Sequence, residues 1–142
     1  MKPIPIAPFI FTTDAKAGAD WAYTLTQSMQ WRILGRNFPP MEVYHEKNKI
    51  GMVAGEILTV YAGYSWNGMS CWPDSPTTAM PSCWHDWFYQ VGKLLTRQQA
   101  DEGLEYLLRL KNDPTPRLCY CGVRLMGWKF YGKAKSVTFR RV

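Results

Sequence analysis

Between Tyr61 and Asp101 the chain gathers residues whose types and spacing could move a proton and hold a hard cation. A glycine-bearing loop, Tyr61-Ala-Gly-Tyr-Ser-Trp-Asn-Gly68, is followed by Ser82-Cys-Trp-His85-Asp86-Trp-Phe-Tyr89 and then by Ala100-Asp101. On a helix His85 and Asp86 point about 100° apart, so they cannot serve each other but can face two halves of one cleft. Asp101, on a second helix, could orient the His85 imidazole and leave its other nitrogen to take a proton from water. Asp86 is then available to a metal. Two His and no clustered Cys make zinc a poor match, whereas one carboxylate beside a loop of backbone carbonyls suits calcium, the cation expected if one binds. The plainer reading is a hydrogen-bonded network that anchors two helices without chemistry, and the sequence leaves both open.

Other candidates carry less. His45 lies in the polar stretch Tyr44-His-Glu-Lys-Asn48 and is expected in an exposed turn. No Gly-x-Ser-x-Gly elbow supports a serine hydrolase, and no Walker or dinucleotide glycine pattern supports a nucleotide enzyme. Trp66, Trp72, Trp84 and Trp87 flank the site in sequence and either line an apolar slot or pack a core.

The elements that must position these residues change character near the middle of the chain. Trp21, Tyr23 and Leu25 alternate with small residues, Trp31-Arg-Ile-Leu34 follows, and Glu56-Ile-Leu-Thr-Val-Tyr61 is a β-branched run, all read as strands. Residues 37–40 and 46–49 read as turns. Pro81 opens a helix that stops at Gly92, and Thr96-Arg-Gln-Gln99 is a capping-box pattern opening a second with Ala100, Leu104, Leu107 and Leu108 as its stripe. A third runs from Arg117 to about Tyr131, apolar through Leu118, Cys121, Leu125 and Met126, with Gly122 and Gly127 permitting close approach. Val137 and Phe139 suggest a final strand or a docking arm. The expected fold is α+β: N-terminal strands packed on a three-helix C-terminal portion, with an antiparallel helix pair carrying His85 and Asp101. One domain, 1–142, is expected, with strands in 1–62, a loop in 63–80, helices in 81–131 and a basic tail in 132–142.

Composition bounds the remaining classes. At 142 residues, 46% hydrophobic and 15% aromatic, the chain can bury a core without disulfides. No apolar run is long enough to cross a bilayer, and prolines at 3, 5 and 8 break any export signal, so synthesis in a cytoplasm is expected. Cys71, Cys83, Cys119 and Cys121 do not form a zinc pattern and read as buried thiols; a Cys71–Cys83 bridge is left open. Residues 109–142 carry nine Lys/Arg against the single acid Asp113. Such an end meets phosphate or an acidic protein surface, or simply solvates; no aromatic and basic nucleic-acid motif accompanies it.

Two resemblances add to this. The run Leu58-Thr-Val-Tyr-Ala-Gly-Tyr-Ser-Trp-Asn-Gly-Met-Ser70, with His85-Asp-Trp-Phe-Tyr89, Thr96-x-x-x-Ala-Asp101 and Val123-Arg-Leu-Met-Gly127, resembles a phage and prophage family of small proteins of unknown function. It spans residues 55–131, and that family's loop usually has Asp where Asn67 stands. It implies a virion component, of the tail or its attachment region, whose partners are other particle proteins, reached through the basic tail, or envelope lipid. The second resemblance, to calcium-dependent secreted phospholipases of the A2 type, is local. It implies His85 as base, Asp86 with the carbonyls of Tyr64, Trp66 and Gly68 as calcium ligands, Asp101 as the orienting group and Tyr89 as a supporting hydroxyl. Trp66 stands where those enzymes have Gly, and the Cys residues that flank their His are missing. An active calcium-dependent hydrolase of lipid or another envelope ester or amide is the alternative to a particle protein that keeps the fold alone.

Overall fold

The computed structural model describes residues 2–15, 21–68, 77–133 and 136–142. They divide into two compact units, one of strands over residues 3–65 with 136–142, the other mainly helical over residues 66–133.

Among the described residues the strand unit holds nine strands in two antiparallel sheets: β1 Pro3–Pro5, β2 Phe11–Ala15, β3 Trp21–Leu25, β4 Met29–Ile33, β5 Phe38–His45, β6 Asn48–Gly55, β7 Ile57–Val60, β8 Ser65–Trp66, which runs into the helical unit, and β9 Val137–Arg141. Six form a sheet in the order β1-β4-β7-β6-β5-β9, and β2-β3-β8 form a smaller one. Period-2 patterning explains β4, where Met29, Trp31 and Ile33 are buried and Arg32 is exposed. The turn expected at 46–49 is the hairpin between β5 and β6, closed by His45 opposite Asn48 with Glu46 at φ 58°. His45 is the last residue of β5 and is half-buried. The turn expected at 37–40 is not there: Phe38–Pro40 begin β5. The prolines are tolerated because the pairing with β6 shifts register between Phe38 and Met41, where no ladder N–H is needed. Val137 and Phe139 do form a final strand, with Val43 opposite Phe139.

The helical unit contains α1 Ala79–Val91, α2 Arg97–Leu110, α3 Pro116–Met126 and a 3₁₀ turn, Gly127–Lys129. Helix α1 begins two residues before Pro81, which still lies in the first turn, where a missing N–H costs nothing. Gly92 ends it as expected, left-handed at φ 74°, its N–H donating to the Phe88 carbonyl. The capping box forms: Gln99 N donates to Thr96 Oγ1 (3.1 Å) and Thr96 N donates to Gln99 Oε1 (3.0 Å). Ala100, Leu104, Leu107 and Leu108 are fully buried. Asp113 fastens the corner before α3, accepting from Thr77 Oγ1 (2.6 Å) and Thr115 N (2.8 Å).

Helix α3 inverts an expectation. Leu118, Cys121, Leu125 and Met126 are exposed, and the packed face is instead Cys119 and Val123, against Leu104 and Leu108 of α2. The helix ends at Met126 rather than near Tyr131, tightening into the 3₁₀ turn. Of the two glycines, Gly127 makes the close approach and Gly122 faces open space.

Helices α1 and α2 meet at Gly103, where a Cβ would press into the indole of Trp84, itself fully buried and donating from Nε1 to the Ala100 carbonyl (3.2 Å). Alanine improves intrinsic helix propensity by about 1 kcal/mol. Gly103→Ala is nonetheless expected to destabilise the protein by roughly 1–3 kcal/mol through overpacking, measured by urea denaturation. A rise in midpoint would show that the two helices can separate at no cost.

Candidate functional site

The centre of the helical unit is a single carboxylate. Asp101, one turn into α2, is fully buried. His85 and Tyr89, four residues apart on α1, share a face and stack with ring centroids 4.0 Å apart. Both address the same oxygen: His85 Nε2 lies 2.7 Å from Asp101 Oδ1, and Tyr89 Oη donates to it at 2.5 Å. On the other oxygen, Arg124 of α3 donates from Nη1 to Oδ2 at 3.0 Å, and Arg97 Nη1 stands 3.8 Å away. Arg97 also donates to the Val123 and Arg124 carbonyls at 3.0–3.2 Å, in the last turn of α3, where the Val123 carbonyl accepts the Gly127 N–H as well. The pairing of His85 with Asp101 across α1 and α2 is therefore present as expected, and the supporting Tyr89 joins it.

The imidazole orientation decides what the site can do. An ionised carboxylate only accepts, so in the neutral ring the proton sits on Nε2 and Nδ1 presents a lone pair. The His85 side chain is buried but keeps 8% exposure.

The two arginines were not foreseen. Arg97 was legible in principle, four residues before Asp101 on one helix face. Arg124 was not, because its reach depends on how α3 is rotated. Gly127 is part of the same construction: a Cβ there would strike the Tyr89 hydroxyl.

The loop residues are placed differently. Tyr64 is buried in the strand unit, and its carbonyl accepts the Leu25 N–H at 2.9 Å. Trp66 and Gly68 belong to the helical unit with Asp86. Trp66 is buried, its indole donating to Ser82 Oγ at 2.9 Å, and Asp86 is half-buried. The Tyr64 carbonyl thus already accepts a backbone N–H, which thins the expected calcium donors. Among the described residues no group of three or more His, Cys, Asp or Glu gathers to hold a metal. Trp84 and Trp87 are fully buried core residues rather than walls of a slot; Trp72 lies outside the described residues.

Cys83 and Cys119 are buried free thiols as expected, whereas Cys121 is a free thiol on the exposed face of α3. Burial, and then the charge of Asp86, push the Cys83 thiol far up, so it is no nucleophile. Cys71 lies outside the described residues.

Compared with family models, curated proteins and solved structures, the chain matches none.

Burial, then the hydrogen bond to Asp101, raises the Tyr89 hydroxyl well above the usual tyrosine range. A raised folded-state value means its contribution is complete below the unfolded value, about 10, and is lost as pH climbs through the folded one. Tyr89→Phe should lower stability at neutral pH by about 1–2 kcal/mol. It should also flatten the further loss above about pH 10, followed by chemical denaturation across pH. Parallel alkaline curves for the two proteins would remove Tyr89 from that loss. Asp101→Ala, which strips a buried acceptor from every donor around it, should cost more, up to about 3 kcal/mol.

Proposed function

We propose that the chain is a phage particle component, of the tail or its attachment region, whose helical unit carries a water-activating site of the phospholipase type. The observation that supports the chemistry is the His85 imidazole, held by Asp101 through Nε2 at 2.7 Å, so that Nδ1 is the nitrogen this reading gives to water. In this reading His85 takes the proton from an attacking water, Asp101 fixes the ring, and Tyr89 holds Asp101 in place. The substrate class is an ester or amide of the host envelope, lipid first. Calcium is part of the proposal: Asp86 and the Trp66 and Gly68 carbonyls are the oxygen donors it would use, water supplying the rest. When bound, such a cation polarises a carbonyl and stabilises the oxyanion.

The particle assignment rests on the resemblance over residues 55–131. It predicts that the protein, made in the host cytoplasm, purifies with particles through a density gradient; its absence from particles would end that assignment.

A second reading has its own support. Asp101 of α2 is hydrogen-bonded from both α1 and α3, so the cluster is also a sufficient structural clamp with no turnover. Fatty-acid release from mixed phospholipid vesicles in millimolar calcium separates the two. The hydrolase reading expects release that falls by about 10²–10⁴-fold in His85→Ala and also falls in Asp86→Asn. Equal, background release from all three proteins leaves the clamp alone.

A further inference from the structure

We propose that the outward face of α3 and the turn after it docks on an anionic lipid surface, an inference that builds on the reading of the chain as acting at a host envelope. Inward, α3 presents Cys119 and Val123 to α2 and Gly127 to Tyr89. Outward it presents Leu118, Leu125, Met126, Trp128 and Phe130, which are 58, 74, 44, 61 and 57% exposed. Leu118, Cys121 and Leu125 recur at intervals of three and four, so they form one stripe on α3, which exposed Trp128 follows in the 3₁₀ turn, and a Cβ at Gly122 beside it would meet nothing within 4 Å. Exposed apolar residues are ordinary when scattered, but a run of them gathered on one helix stripe and the turn after it marks an interaction surface.

Charge selects the occupant. From α3 to Lys133 the cations are Arg117, Arg124, Lys129 and Lys133, and there is no acid. Arg124 is turned to Asp101, and Arg117 reaches Glu105 of α2 at 3.3 Å while staying largely exposed. Lys129 Nζ stands 5.8 Å from the Trp128 ring centre, and Lys133 is exposed. A second copy of this chain would set cation against cation across the same face. Protruding Leu, Trp and Phe with Lys and Arg at the border instead match the boundary of a bilayer, where rings and aliphatic chains enter the acyl edge and cations meet phosphate.

The full chain is mixed, without calcium, with vesicles of phosphatidylcholine alone or with about one third phosphatidylglycerol, and partition is read by co-sedimentation. Binding is expected only to the anionic vesicles and should weaken with salt. Leu125→Glu combined with Trp128→Glu should lower partition at least about tenfold with the melting temperature unchanged. Lys129→Ala and Lys133→Ala should each lower it about fivefold. No partition of the parent, or partition indifferent to the double glutamate variant, overturns the proposal. Loss of that variant from particles when the parent ignores vesicles overturns it in favour of a protein partner. His85→Ala should bind vesicles like the parent. Binding without hydrolysis therefore defeats the hydrolase reading alone, and hydrolysis of a soluble short-chain ester without vesicle binding defeats the docking surface alone.

Discussion

The helical unit depends on burying one negative charge. An ionised carboxylate removed from water without compensation is prohibitively unfavourable, so a sequence that places Asp101 inside must bring donors to it. Here they come from three helices: His85 and Tyr89 from α1, Arg97 from α2 itself and Arg124 from α3. Much of the packing follows. Helix α1 must turn residues 85 and 89 toward α2, and α3 must arrive with its last turn near Arg97. Gly127 must also leave room for the Tyr89 ring.

The two oxygens of Asp101 divide the work. Oδ1 receives an imidazole and a phenol, groups that can take part in proton transfer, whereas Oδ2 is turned to guanidinium groups that cannot. That division lets one residue be the keystone of a fold and also fill the orienting role proposed for it. It also explains why scaffold and catalytic readings share the same residues: the contacts that hold the helices are those that fix the imidazole.

The strand unit obeys a different constraint. Its large sheet is organised by register, and the places where register slips accommodate residues a regular strand excludes, such as Pro39 and Pro40 at the shift between β5 and β6. Glu42, on β5, collects Lys49 Nζ at 2.7 Å and the Tyr44 hydroxyl at 2.8 Å, which lowers its pKa below the usual carboxylate value.

What the sequence determined by itself was local or nearly so. The stop at Gly92 and the capping box at Thr96 fix the connection between α1 and α2. With so short a link the helices run antiparallel and the face of Asp101 is set, so its meeting with His85 could be read from spacing. Strands β4 and β7 were legible because apolar alternation in the first and β-branched residues in the second record which side is buried. Tertiary structure decided the rest. Pro39 and Pro40 read as a turn until the neighbouring strand's slip removes the need for their N–H groups. Helix α3 carries two stripes, and periodicity favoured the larger residues Leu118 and Leu125. Packing took the smaller Cys119, Val123 and Gly127, because only those let the helix approach Leu104, Leu108 and Tyr89 closely enough for Arg124 to reach Asp101. A hydrophobic pattern says that a face will be buried if something covers it; which face is covered depends on the space the other helices leave.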